Sequence, residues 1–165
     1  MMMLLTRLSI VTLIVLFSLI FIGGYVSASG VGLSCPNWPL CPAGLMPMQE
    51  FIIEYFHRTV AATTGALVFV TMIFTLKSKL SSKNAKIASV IAVALVIGQI
   101  ALGAIVIVEK LHAVLVTAHL GIGLILFSMV LFVVRNSYRI DRKRLETARS
   151  GSQGTVDQLD QKYKL

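Results

Sequence analysis

Charge is scarce in this chain, and acidic charge most of all. Only 13% of the 165 residues are charged, seven acidic against fifteen basic, while 56% are hydrophobic. Soluble domains carry about 25% charged residues and cannot hide such an apolar excess, so a water-soluble protein is excluded and an integral membrane protein is indicated. Cysteine is limited to Cys35 and Cys41, and histidine to His57, His112 and His119. A zinc site needs three or four protein ligands, and these few residues do not supply them at a common depth.

Long apolar runs are what the chain has instead. Four of them, residues 8–26, 51–76, 87–108 and 111–134, reach the length of about 20 residues that crosses the hydrocarbon core. They are too long and too continuously apolar for barrel strands, so helices are expected. The second run carries Glu54, His57 and Arg58 near its start and no charge over 59–76. Ser27-Ala28-Ser29 offers the small residues of a cleavage site. The 19 apolar residues before it exceed the roughly 7–15 of a signal-peptide core, so the first run is expected to stay as a span. Short links between successive spans predict an all-α integral membrane protein, a four-helix transmembrane bundle over 1–135 with an outer loop at 27–50. Residues 136–165 read as a tail, basic at first, prolonging the fourth helix over 139–144 and largely disordered from Ser150, where polar residues offer little surface to bury.

Basic residues are placed asymmetrically. Arg7 precedes the first span, Lys77, Lys79, Lys83 and Lys86 lie between the second and third, and eight more follow the fourth. Residues 27–50 have none and the last link has only Lys110. The positive-inside rule then puts both termini and the middle loop in the cytoplasm of a multi-pass plasma-membrane protein. The net charge of +8 is accounted for by topology and anionic lipid, and needs no nucleic-acid partner.

An ionisable side chain at membrane depth is costly and calls for a functional reason. His57 lies six residues into the second span and His119 eight residues into the fourth, about 9 and 12 Å below the same surface at 1.5 Å per residue. Two imidazoles at matched depth on different helices suit bis-histidine ligation of a haem iron. His112 falls at the water interface, as a surface or supporting residue. Glu54, His57 and Arg58 share one helix face within an arc of about 100°. Glu54 and Arg58 form an i,i+4 pair in the favoured order. The pair lowers the cost of burial while leaving a carboxylate poised for proton movement, and Arg58 is suited to a haem propionate. Gln99, deep in the third span, reads as a core residue. Ala61, Ala62, Gly65, Gly98, Gly103, Gly121 and Gly123 mark places where a helix or a flat macrocycle can come close.

The outer loop reads Ser34-Cys35-Pro36-Asn37-Trp38-Pro39-Leu40-Cys41-Pro42. On the oxidising side of the membrane a cysteine pair persists as a disulfide, and the prolines favour closing a small ring. The pair is either a structural staple or a redox-active couple.

With this loop, the Glu-x-x-His-Arg that opens span two and the His-Leu of span four, residues 8–134 resemble the heme A synthase family. The resemblance implies oxidation of a methyl group of heme O to a formyl, giving heme A for terminal oxidases. It implies His57 and His119 as haem ligands, Glu54 as the catalytic carboxylate, and a Cys35–Cys41 disulfide. Asn37 stands where the family often has aspartate. Family members usually have eight spans in two similar halves, one for the substrate haem and one for haem b. Four spans here match the half with the glutamate and cysteines, so a homodimer or higher oligomer is expected, meeting at Gly98, Gly103, Gly121 or Gly123. A heme O synthase and an electron acceptor are expected partners. Two other classes share the bis-histidine pattern or its absence of chemistry: a cytochrome b-like electron carrier and a haem-free subunit whose histidines only pack.

Overall fold

A computed structural model of the chain describes residues 2–33 and 52–163, with side chains described to Gly151. It contains four long helices, α1 (Met2–Ala28), α2 (Ile52–Lys77), α3 (Lys83–Val108) and α4 (Ala113–Tyr163), with a short 3-10 turn at Val31–Leu33. All four are long and apolar enough to cross a membrane, and no strand occurs among the described residues. Cys35, Asn37 and Cys41 lie outside the described residues.

The principal contacts run round a ring: α1 packs on α2 and α4, and α3 packs on α2 and α4. Therefore α2 and α4 stand on a diagonal and face each other across the bundle. Leu16, Val68, Ala92, Leu126 and Val130 form one buried cluster, drawn from all four helices. Most large apolar side chains point the other way. Phe17, Phe21, Ile97, Leu124 and Ile125 are exposed, and only 11% of the most apolar window of α3 is buried. In water such a surface would drive aggregation; against lipid tails it is the expected exterior.

Small hydroxyl residues take the helix contacts instead. Ser9, Thr12, Thr64, Thr71, Thr75 and Ser89 are buried. Thr12 Oγ1 and Thr71 Oγ1 meet at 2.9 Å between α1 and α2, while Thr64 and Thr75 donate to the carbonyls of Val60 and Thr71 one turn back. Bonds within the helix satisfy the hydroxyls where no water reaches, and their small size lets backbones approach.

The helix ends differ from the apolar runs for local reasons. Ser82 caps α3, its hydroxyl accepting from the Ala85 N–H at 3.2 Å. The helix therefore starts four residues before Ile87, with Lys83 and Lys86 inside its first turn. Residues 109–112 form the turn between α3 and α4, so Leu111 is a turn residue and not the start of a span. Lys110 and Leu111 both take left-handed backbone angles, φ 50° and 62°. The turn is held by Leu111 N–H on the Val106 carbonyl at 2.8 Å, while the Leu111 side chain covers Gly32 of the 3-10 turn.

At the opposite, basic end α4 runs on without a break. Its 51 residues extend about 76 Å, more than twice the roughly 30 Å hydrocarbon thickness. Residues 136–163, where the sequence suggests a tail largely disordered from Ser150, continue this helix. Residues 135–150 contain neither proline nor glycine, and Arg142 pairs with Glu146 one turn on at 2.9 Å. Two contacts tie the extension back to the bundle. Thr6 of α1 donates to the Asp141 carboxylate, and Asn136 Nδ2 donates to Ser82 Oγ at 3.1 Å.

A left-handed conformation costs a non-glycine residue about 1–2 kcal/mol, of which glycine's flexibility in the unfolded chain returns roughly 0.5–1. Lys110→Gly is accordingly expected to stabilise the bundle by about 0.5–1 kcal/mol. Leu111→Gly, which also strips the cover from Gly32, is expected to gain nothing. Thermal unfolding in detergent checks the pair, and equal shifts would contradict the account.

Candidate functional site

The first turns of α2 bring three candidate side chains, Glu54, His57 and Arg58, to the end of the bundle opposite the basic extension. Glu54 is 3% exposed although acidic. Arg58 Nη2 donates to its Oε1 across one helical turn, with the arginine side chain itself 15% exposed. Such a pair is retained at membrane depth only because each partner offsets the desolvation of the other.

His57 lies between Glu54 and Arg58 in sequence, and its ring rests on the backbone of α1. A Cβ at Gly23 would stand 3.0 Å from His57 Cε1, 3.7 Å from Nδ1 and 3.8 Å from Nε2. A side chain there would press on the imidazole and make it give by a few tenths of an ångström, so glycine suits this close approach. His119 has the matching arrangement on the other helix pair. Its Cε1 lies 3.4 Å from the Cβ position of Gly103 on α3, ordinary van der Waals contact. The first imidazole is therefore held tightly by α1 and the second more loosely by α3.

The two histidines sit five and six residues inside their helices, about 8 and 9 Å deep at 1.5 Å per residue. They stand on the diagonal helices α2 and α4. Nδ1 of each is a buried atom with no hydrogen-bond partner among the described residues. A buried polar atom left open in this way calls for an explanation, since pairing is the rule.

Gln99 of α3 joins the site from below. Its Nε2 donates to the backbone carbonyl of His119 at 2.7 Å. Gly123 makes this possible: a Cβ there would come within 3.3 Å of the amide nitrogen. Thus Gln99, read from sequence as a core residue, is bonded to the turn that carries His119.

His112 stands exposed just before α4, its carbonyl accepting from the N–H groups of Leu115 and Val116. It belongs to the helix start, apart from the two half-buried imidazoles. Of the glycines expected to serve contacts between copies, Gly103 and Gly123 are occupied inside the bundle, whereas Gly98 and Gly121 have nothing within 4 Å. Gly23 was not singled out in the sequence. The Gly23-Gly24 pair in an otherwise large-residue run is the one signal that pointed to it.

Residues 48–156 match the family model COX15-CtaA, described as cytochrome oxidase assembly protein. A heme A synthase of Bacillus licheniformis is 34% identical over 140 residues, covering 83% of this chain and 46% of that protein. One from Alkalihalophilus pseudofirmus is 34% identical over 119 residues, covering 70% and 40%, and one from Staphylococcus epidermidis 31% identical over 125 residues, covering 73% and 41%. The chain thus spans less than half the length of these relatives. No solved structure matches it. With four spans and this family match, the protein is a multi-pass protein of the plasma membrane and belongs to the COX15-CtaA family of cytochrome oxidase assembly proteins.

Proposed function

We propose that this chain forms the glutamate-bearing four-helix unit of a heme A synthase, holding its porphyrin between His57 and His119 and oxidising a methyl group of heme O to the formyl of heme A. The observation that carries this reading is a pair of half-buried imidazoles on diagonal helices, each with a buried Nδ1 that has no hydrogen-bond partner among the described residues, beside a buried carboxylate. The donor set suits such a group. Two imidazoles on facing helices would suit ligation of a haem iron. Among the described residues no cluster of three or more His, Cys, Asp or Glu offers a site for zinc.

Held there, the haem supplies the oxidative chemistry. The chain orients it and handles protons. With water as the source of the formyl oxygen, converting the methyl to a formyl releases four protons and four electrons, and Glu54, one turn from His57, is the carboxylate suited to accept protons. Arg58 supplies the counter-charge that offsets the burial of that carboxylate, and a guanidinium is the group suited to a propionate. A plain electron carrier would have no use for this buried pair, which favours the enzymatic reading over a cytochrome b-like one.

Several parts of the reading extend beyond the described residues. In the orientation set by basic residues, the site lies in the outer half of the membrane with both termini cytoplasmic. Cys35 and Cys41 are then on the oxidising side and form a disulfide. A resident haem b, separate from the heme O substrate, belongs to a second four-span unit of the same kind. In a homodimer, the open faces at Gly98 and Gly121 are where such a unit can approach closely. A heme O synthase supplies the substrate and an electron acceptor completes the reaction.

Three outcomes are expected. His57→Ala and His119→Ala should each lose bound haem or convert a low-spin spectrum to high-spin, and Gly23→Ala should weaken haem retention in the same direction through displacement of the His57 ring. Unchanged visible spectra in both histidine variants would refute the ligand assignment. When the chain is co-expressed with a heme O source, Glu54→Ala should keep its haem but lose about a hundredfold or more in heme A formed, the usual range for a general base. Chromatography of extracted haems measures this, and undiminished heme A would leave Glu54 only its ion pair. Mass spectrometry of unreduced protein should show the loop peptide two hydrogens light; free thiols at both cysteines would rule the disulfide out.

A further inference from the structure

The amide of Gln99 is only half used. Its Nε2 donates to the His119 carbonyl at 2.7 Å, and a carbonyl can only accept, so the orientation of the amide is fixed by that bond. Its Oε1 must therefore be the free end, and it is buried with no partner among the described residues. Leaving a buried acceptor open is destabilising, a cost that an apolar residue of the same size would avoid.

The position of this oxygen is informative. Gln99 lies nine residues from the end of α3, about 14 Å deep, against about 8 and 9 Å for the two imidazoles. It sits on the far side of the histidines from the helix ends, next to Gly123 and near Ile20, above the apolar cluster that begins at Leu16 and Leu126. Glu54 lies nearer the helix ends, two residues into α2, and the Arg58 guanidinium reaches back to it. A porphyrin between the histidines would thus meet charge toward one edge and a single neutral acceptor toward the deeper one.

Resting on the haem-site reading above, we propose that Gln99 is a specificity-determining residue whose Oε1 accepts a hydrogen bond from a hydroxyl on an alkyl side chain of the porphyrin. Heme O carries such a hydroxyl; haem b has an unhydroxylated vinyl group in its place. An acceptor that only the hydroxylated ligand satisfies discriminates by the cost of leaving it unpaired with the other. Gly123 is part of the device, since its missing side chain lets the amide take this position.

The test is a titration of the full chain, purified haem-free in detergent, with heme O and separately with haem b, followed by Soret absorbance. The quantity read is the heme O to haem b affinity ratio of each variant relative to wild type, which cancels the partitioning of the farnesyl tail into detergent. Gln99→Leu is expected to lower this ratio about five- to tenfold, the worth of one buried hydrogen bond. Gly123→Ala, which leaves Gln99 in place and crowds its amide, is expected to lower it in the same sense and covers the case in which Gln99→Leu fails to fold. Equal losses of both affinities, with the ratio kept, would overturn the proposal and leave Gln99 as a strut for His119. An unchanged ratio and unchanged affinities would also overturn it, assigning the open oxygen to a bound water. Binding of neither haem by wild type would instead refute the haem-site reading on which it rests.

Discussion

Polar side chains inside a membrane bundle must be shielded from lipid by backbone, and that requires helices to come unusually close. Gly23 meets this requirement for His57, where a Cβ would stand only 3.0 Å from the ring, and Gly103 meets it for His119 at 3.4 Å. A Cβ at Gly23 would force the His57 ring to give by a few tenths of an ångström, whereas one at Gly103 would make ordinary contact with His119. Since α1 and α3 also flank the diagonal pair α2 and α4, the same contacts set the distance across which the histidines face each other. The geometry of the site is thus a packing consequence before it is a chemical one.

Charge is handled by the same economy. Glu54 is buried at 3% exposure and could not remain there as an unpaired carboxylate. Arg58, placed one turn later, supplies the counter-charge from the same helix, so the pair is formed as soon as α2 forms. No second helix has to arrive in register for the carboxylate to be tolerated. The far end follows another rule. There Thr6, Asp141, Asn136 and Ser82 join α1, α4 and the α2–α3 link through side chains that reach beyond the apolar runs.

Apolar run length made the four helices legible, because a bilayer leaves the backbone no alternative to internal hydrogen bonding. Their ends were less legible, since polarity marks the edge of the membrane and not the end of a helix. Arg7 lies inside α1, Lys83 inside α3, and the basic residues from Arg135 to Lys162 inside α4. Leu111 looked like the first residue of a span and is a turn residue, because the left-handed turn recruits it to cover Gly32. At the site, His57, His119 and the Glu54–Arg58 pair could be read from spacing on single helices. Gly23 could not, because its significance lies in which residue of another helix it meets. The role of Gln99 was hidden for the same reason, as its partner is a main-chain carbonyl that carries no sequence signal.

The continuity of α4 joins these two ends mechanically. His119 lies in its second turn, and the same helix passes through the apolar cluster at Leu126 and Val130 before reaching Asn136 and Asp141. A helix without an internal proline transmits rotation about its axis along its length. Contacts at the basic end therefore help to fix the direction in which His119 points, about 25 Å away at 1.5 Å per residue. Near the site, Gln99 fixes the same turn through its carbonyl. His57 needs no such distant anchor, because Gly23 already confines its ring from the neighbouring helix. The two imidazoles are thus held by different means, one by close packing and the other by the attitude of a long helix. Strain from a bound planar ligand would then be taken up on the α4 side, where the contact with Gly103 leaves room to adjust.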